Sequence, residues 1–134
     1  MKMLYPAPPE IVVRYCWEDV KADRFEISIP ITLVLTGGRE ITVPRGYRSD
    51  FASVPPILWG FIPSIGRHNL AAVIHDYLYD TNMFEAEMGS YQARLYADRE
   101  FLRLANLVGP RHRLRHAIMY QFVRWFGGRW WRKR

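Results

Sequence analysis

The sequence predicts an α+β fold, with a small N-terminal antiparallel β-meander followed by three C-terminal helices. Three observations carry this. Apolar residues alternate at a period of two in the first 43 residues, and they recur at spacings of three and four from Asn69 onward. Between these halves, Pro55, Pro56 and Pro63 with Gly46, Gly60 and Gly66 break any regular pattern.

Taken in order, Ile11-Val12-Val13-Arg14-Tyr15 is a short β-rich run, and Arg24-Phe25-Glu26-Ile27-Ser28-Ile29 alternates as a half-buried strand does. Ile31 to Leu35 and Glu40 to Val43 flank Thr36-Gly37-Gly38-Arg39, a glycine-containing hairpin turn. A first helix starts at Asn69, with Leu70, Val73, Ile74, Tyr77 and Leu78 on its apolar side. A second runs from about Ser90 to about Leu107, where Gly109 stops it and Pro110 opens a third. Leu114, Ile118, Phe122 and Trp125 form the stripe by which that third helix is expected to meet the core.

A chain of 134 residues suits a single domain. Residues 1–44 are its strand-rich part, 45–68 an irregular loop, 69–126 the helical part and 127–134 a basic, Trp-rich tail. Apolar content of 49% with five tryptophans excludes a disordered chain. Cys16 is the lone cysteine, so no intrachain disulfide forms. With no h-region and no bilayer-length apolar run, neither a signal peptide nor a transmembrane segment is expected, and the host cytoplasm or a virion is the expected location.

The net charge of +6 is unevenly spread. All 13 acidic residues lie at or before Glu100, which leaves the first 100 residues at −3 and the last 34 at +9. Such segregation points to a polyanionic partner.

The candidate chemistry sits on the helices. In Ile74-His75-Asp76-Tyr77-Leu78-Tyr79, His75 and Tyr79 share a face while Asp76 lies about 100° round from His75. Histidine and aspartate can then do different work at one cleft, a base and a ligand. Arg94 and Asp98 stand four apart on the second helix, with Phe101 on the same side. Antiparallel packing of the two helices brings Asp98 to His75. A carboxylate bonded to one imidazole nitrogen fixes the tautomer and orients the ring, which is how a His-Asp dyad activates water. Asp50, at a strand end before an irregular loop, can join Asp76 as a two-carboxylate site, whose hard oxygens suit Ca²⁺ or Mg²⁺ better than zinc.

Each feature also has a plainly structural reading. His75 can be a core-rim histidine satisfied by Asp98, Arg94 and Asp98 an ordinary i,i+4 ion pair, and Asp50 a turn cap. Arg129, Trp130, Trp131 and Arg132 can dock on an anionic membrane surface or stack on and neutralise nucleic acid. The reading in which these tryptophans pack back on the domain, or on a neighbouring virion subunit, is set ahead of both.

In order along the chain, Asp50-Phe51-Ala52-Ser53-Val54-Pro55, His75-Asp76-Tyr77-Leu78-Tyr79, Arg94 with Ala97-Asp98 and Phe101, Met119-Tyr120, Val123-Arg124, Phe126-Gly127 and Trp130 resemble a known family. It is the domain-of-unknown-function 1353 family, common in bacteriophages and prophages. That resemblance implies a phage or prophage origin and no particular activity. His-Asp-x-x-Tyr with a later aspartate is also similar to the catalytic pair of secretory and prokaryotic phospholipases A2. It implies His75 as general base for water, Asp76 as a Ca²⁺ ligand, Tyr79 and Asp98 orienting the dyad, and Asp50 with nearby backbone completing the calcium site. This chain departs from those enzymes in having Ile74 before His75, no flanking disulfide, no glycine-rich calcium loop and a strand-rich first half. The expected function is a metal-assisted ester or lipid hydrolase encoded by a phage. The alternatives are a non-enzymatic phage component, in a virion or host-takeover role, whose His/Asp cluster only holds the helices together, and a nucleic-acid-binding module using the basic C-terminus; an anionic membrane surface or another phage protein is the expected partner.

Overall fold

The computed structural model describes residues 13–15, 24–50 and 69–132. It is an α+β molecule, with antiparallel strands followed by helices. β1 (Val13–Tyr15) and β5 (Arg48–Asp50) flank β2 (Arg24–Ile27), while β3 (Ile31–Val34) and β4 (Glu40–Val43) pair as a hairpin. β3 and β4 form the hairpin that joins β2 to β5, so the strands keep the order of an antiparallel meander: β1 beside β2–β3, and β2–β3 beside β4–β5. The one departure is β5, which falls in a stretch expected to be loop but pairs with β2, with Arg48 facing Glu26.

The two ladders keep one register. Glu26 faces Arg48 and Ile31 faces Val43, so residues 28–30 stand against 44–46 with no offset. Extending that register sets Pro30 opposite Pro44. Neither proline has an N–H to give, which is why the ladder lapses there. It resumes at Ile27, whose N–H donates to the Tyr47 carbonyl at 2.8 Å. On the hairpin, Ile31, Ile41 and Val43 turn inward while Thr32 and Thr42 bond across the exposed face at 2.8 Å.

Five α-helices follow among the described residues: α1 (Asn69–Thr81), α2 (Glu85–Met88), α3 (Ser90–Val108), α4 (Arg113–Phe126) and α5 (Gly128–Arg132). α1 buries Leu70, Val73, Ile74 and Leu78, the spacing that predicted it, and Ala93 and Ala97 on α3 let the two helices approach closely. α1 ends at Asn82, whose φ of 47° is tolerated by asparagine. The Met83 N–H reaches the Leu78 carbonyl at 3.0 Å and the Asn82 N–H the Tyr79 carbonyl at 3.2 Å, a Schellman arrangement that satisfies the last carbonyls. A 3-10 turn, Pro110–His112, separates α3 from α4. No helix among the described residues is long and apolar enough to cross a membrane.

The reading in which the C-terminal tryptophans pack back on the domain holds for Trp131: α5 folds back so that Trp131 is 2% exposed in the core. Its indole N–H donates to Ser90 Oγ at 3.0 Å and Glu85 Oε2 at 3.1 Å, and the Asn82 side chain donates to its carbonyl at 3.1 Å. One expectation is corrected: of the stripe expected to seat α4, only Phe122 packs against the core. Leu114 is 76% and Trp125 72% exposed, because α4 meets α3 through His116 and Met119 on its other side.

Candidate active site

Asp98 is the centre of the site. It is fully buried on α3, where an unpaired carboxylate is prohibitively costly, and three donors from two other helices answer it. From α1, His75 Nε2 lies 2.7 Å from Oδ1 and the Tyr79 hydroxyl donates to the same oxygen at 2.7 Å. From α4, Arg124 Nη1 donates to Oδ2 at 2.6 Å. Burial alone pushes the Asp98 carboxyl up. The hydrogen bonds from His75, Tyr79 and Arg124 outweigh it, and the group sits below its usual range.

An ionised carboxylate only accepts, so His75 carries its proton on Nε2, and Nδ1 is the ring nitrogen with a free lone pair in the neutral form. The ring is held between Tyr79 and Phe101, with centroids 4.3 and 5.4 Å away, and 11% of the side chain still reaches solvent. Burial and the neighbouring Asp98 charge push the Tyr79 hydroxyl well above its ordinary value, so it acts as a donor only to Asp98 and stays protonated.

Arg94 does not pair with Asp98 despite the i,i+4 spacing. Its Nε donates to the Tyr79 hydroxyl at 3.0 Å, and Nη2 donates to the Val123 and Arg124 carbonyls at 2.7 Å each. A cation thus closes the C-terminal end of α4, where the last carbonyls lack partners. Close beneath lies Gly127. A Cβ there would meet the Tyr79 hydroxyl oxygen at 2.7 Å and Arg94 Nη2 at 3.3 Å, so only glycine fits this approach. Tyr79 is further braced by Trp131, edge-on at 5.2 Å.

The structure therefore brings together His75, Tyr79, Asp98 and, one step out, Arg94. Asp76 is half-buried on α1, a turn before Asp80, to which the Tyr47 hydroxyl donates at 2.6 Å just ahead of β5. β5 packs on α1, which sets the Asp50 backbone near that helix; the Asp50 side chain lies outside the described residues. Among the described residues no three His, Cys, Asp or Glu side chains gather as a metal cage. Of the C-terminal candidates, Trp131 is interior, Arg129 is exposed, and the side chains of Trp130 and Arg132 lie outside the described residues.

Two participants were given no role in the sequence reading: Arg124 and Gly127. One signal was present. With no acid after Glu100, any buried arginine in the last helices has to find its carboxylate upstream. No curated protein and no solved structure matches the chain. Residues 25–123, which include His75, Tyr79, Arg94 and Asp98 and stop just short of Arg124, match the family described as Protein of unknown function (DUF1353), and the chain belongs to that family.

Proposed function

We propose that the protein is a hydrolase of esters, with His75 as the general base for water. The observation that carries this is the His75–Asp98 pair: a buried carboxylate takes Nε2–H, a tyrosine hydroxyl fixes that carboxylate, and the opposite ring nitrogen is left to accept a proton. Nδ1 takes a proton from water as the oxygen attacks the ester carbonyl, and returns it to the departing alkoxide. Asp98 stays ionised throughout; Tyr79, itself held by Arg94, and Arg124 keep it in place. Asp76 and Asp50 would be the oxygen donors for a divalent cation such as Ca²⁺, which when bound would stabilise the developing oxyanion. The similarity to phospholipases A2 supports a lipid ester as substrate, and the family resemblance supports a phage setting, in the host cytoplasm or the virion.

A second reading has its own observation. Arg124 already matches the Asp98 charge, and the network joins three helices, as a structural cluster in a non-enzymatic phage protein would. Hydrolysis of a fluorogenic phospholipid separates the two. The hydrolase reading expects turnover that is lost in His75→Ala and Asp98→Asn with near-native circular dichroism, and lost on chelation. Absence of turnover in the wild type establishes the structural reading instead; the lower melting expected of Asp98→Asn belongs to both readings and does not separate them.

A further inference from the structure

α4 has two apolar faces, and only one of them is used. His116, Met119 and the half-buried Val123 face α3. On the opposite side Leu114, Ala117, Ile118, Gln121 and Trp125 fall in one strip, at the spacing of residues that share a helix face, and it carries no charge. Leu114 and Trp125 are the two most exposed large apolar residues described, at 76% and 72%, and Phe126 at the end of the helix is 45% exposed. Arg113 and Arg115 project on either side of the strip and are exposed, as is Arg111 just before it. No acidic residue occurs from residue 101 to the end of the chain.

We infer that this face of α4 docks on an anionic lipid bilayer. An uncharged strip of Leu, Ile and Trp with arginines along its margins is the pattern of a helix lying in the interface, its apolar side among the acyl chains and its cations at the headgroups. Charge argues against a second copy of the chain as occupant, since two such faces would bring like arginines together. The leucine and isoleucine argue against single-stranded nucleic acid, because aliphatic side chains give bases nothing to stack on. The inference adds to the hydrolase reading a place where a lipid ester is met, yet rests on α4 alone.

Vesicle flotation tests it. Vesicles of equal phosphatidylglycerol and phosphatidylcholine are expected to carry the full chain upward, whereas pure phosphatidylcholine vesicles leave it behind. Leu114→Ser with Trp125→Ser should weaken binding about tenfold or more, with melting unchanged because both residues are at the surface. Arg113→Gln with Arg115→Gln should weaken it and flatten its dependence on salt. Failure to float, or flotation indifferent to the Leu114/Trp125 pair, overturns the inference. So does a wild-type dimer in sedimentation that the pair converts to monomer, or tight binding of oligothymidylate that the pair abolishes. Because flotation reads binding and not turnover, it can fail while hydrolysis is observed, and the reverse.

Discussion

Asp98 offers two oxygens to three donors, and the sign of its titration sets a pH dependence. Its folded pKa lies below the unfolded value, so between the two the unfolded chain binds more protons and stability rises with pH. The stabilisation is complete above about pH 5 and is lost as pH falls through the ordinary aspartate range toward the depressed folded value. Asp98→Asn is expected to cost about 3 kcal/mol at neutral pH, since it leaves the half-buried Arg124 facing a neutral amide. It should also flatten the acid limb of stability. Urea titrations of both proteins from about pH 6 down to pH 3 check this; parallel acid limbs would show that Asp98 is not the group responsible. Tyr79→Phe, which removes one donor to Asp98 and the acceptor of Arg94 Nε, should cost about 1–3 kcal/mol.

Among elements, the joints around α3 and α5 depend on two glycines for different reasons. Gly89 joins α2 to α3 at φ 86° and ψ 159°, a region that side chains do not enter, with open space around its missing Cβ. Gly127 has ordinary helical angles but no room. Gly89→Ala should therefore cost about 1–3 kcal/mol of backbone strain and leave the near-UV circular dichroism unchanged. Gly127→Ala should displace Tyr79 and change the tyrosine and tryptophan signals as it lowers the melting temperature.

The same joints show how far the sequence could be read. The pairing of His75 with Asp98 followed from helix periodicity and antiparallel packing alone. α4 misled because it is apolar on two sides, and periodicity reports a face without saying whether protein or solvent meets it. Arg124 was hidden by that error, whereas the packing of Trp131 back on the domain was the reading set ahead, without the partners that hold it. β5 was missed because three residues are too few for an alternation to register.

Across the whole molecule, the hairpin and the helices are joined by Glu100. It is 2% exposed and accepts from the Thr36 hydroxyl at 2.6 Å, the Thr36 N–H at 3.2 Å and Arg103 Nη2 at 2.6 Å. Tyr96 adds a bond from its hydroxyl to the Thr36 carbonyl at 2.7 Å; burial and the Glu100 charge push that hydroxyl up to about 12, so it remains a donor. Arg39, on the same turn, lies over Phe84 and Tyr96 and pairs with Glu87. Glu100→Gln should cost about 1–3 kcal/mol. Hydrogen exchange should quicken at the turn amides of Leu35 and Gly38 while α1 stays protected. Equal acceleration in both would mean that the hairpin has no separate anchor. Nothing about Glu100 marks it in the sequence, where it reads as one more exposed helical charge.

The Asp98 network also has a consequence in time. Its bonds span 19 to 26 residues of chain: those from His75 and Tyr79 need only α1 and α3, and the one from Arg124 closes only when α4 has also been placed. A contact that waits for the third helix is expected on the late side of the folding barrier. Weakening the Arg124 bond should then leave the refolding rate almost untouched and speed unfolding by nearly the whole loss of stability. The carboxylate at the centre of the molecule acts as a latch on the finished fold, and its strength sets how long each folded molecule lasts before it opens.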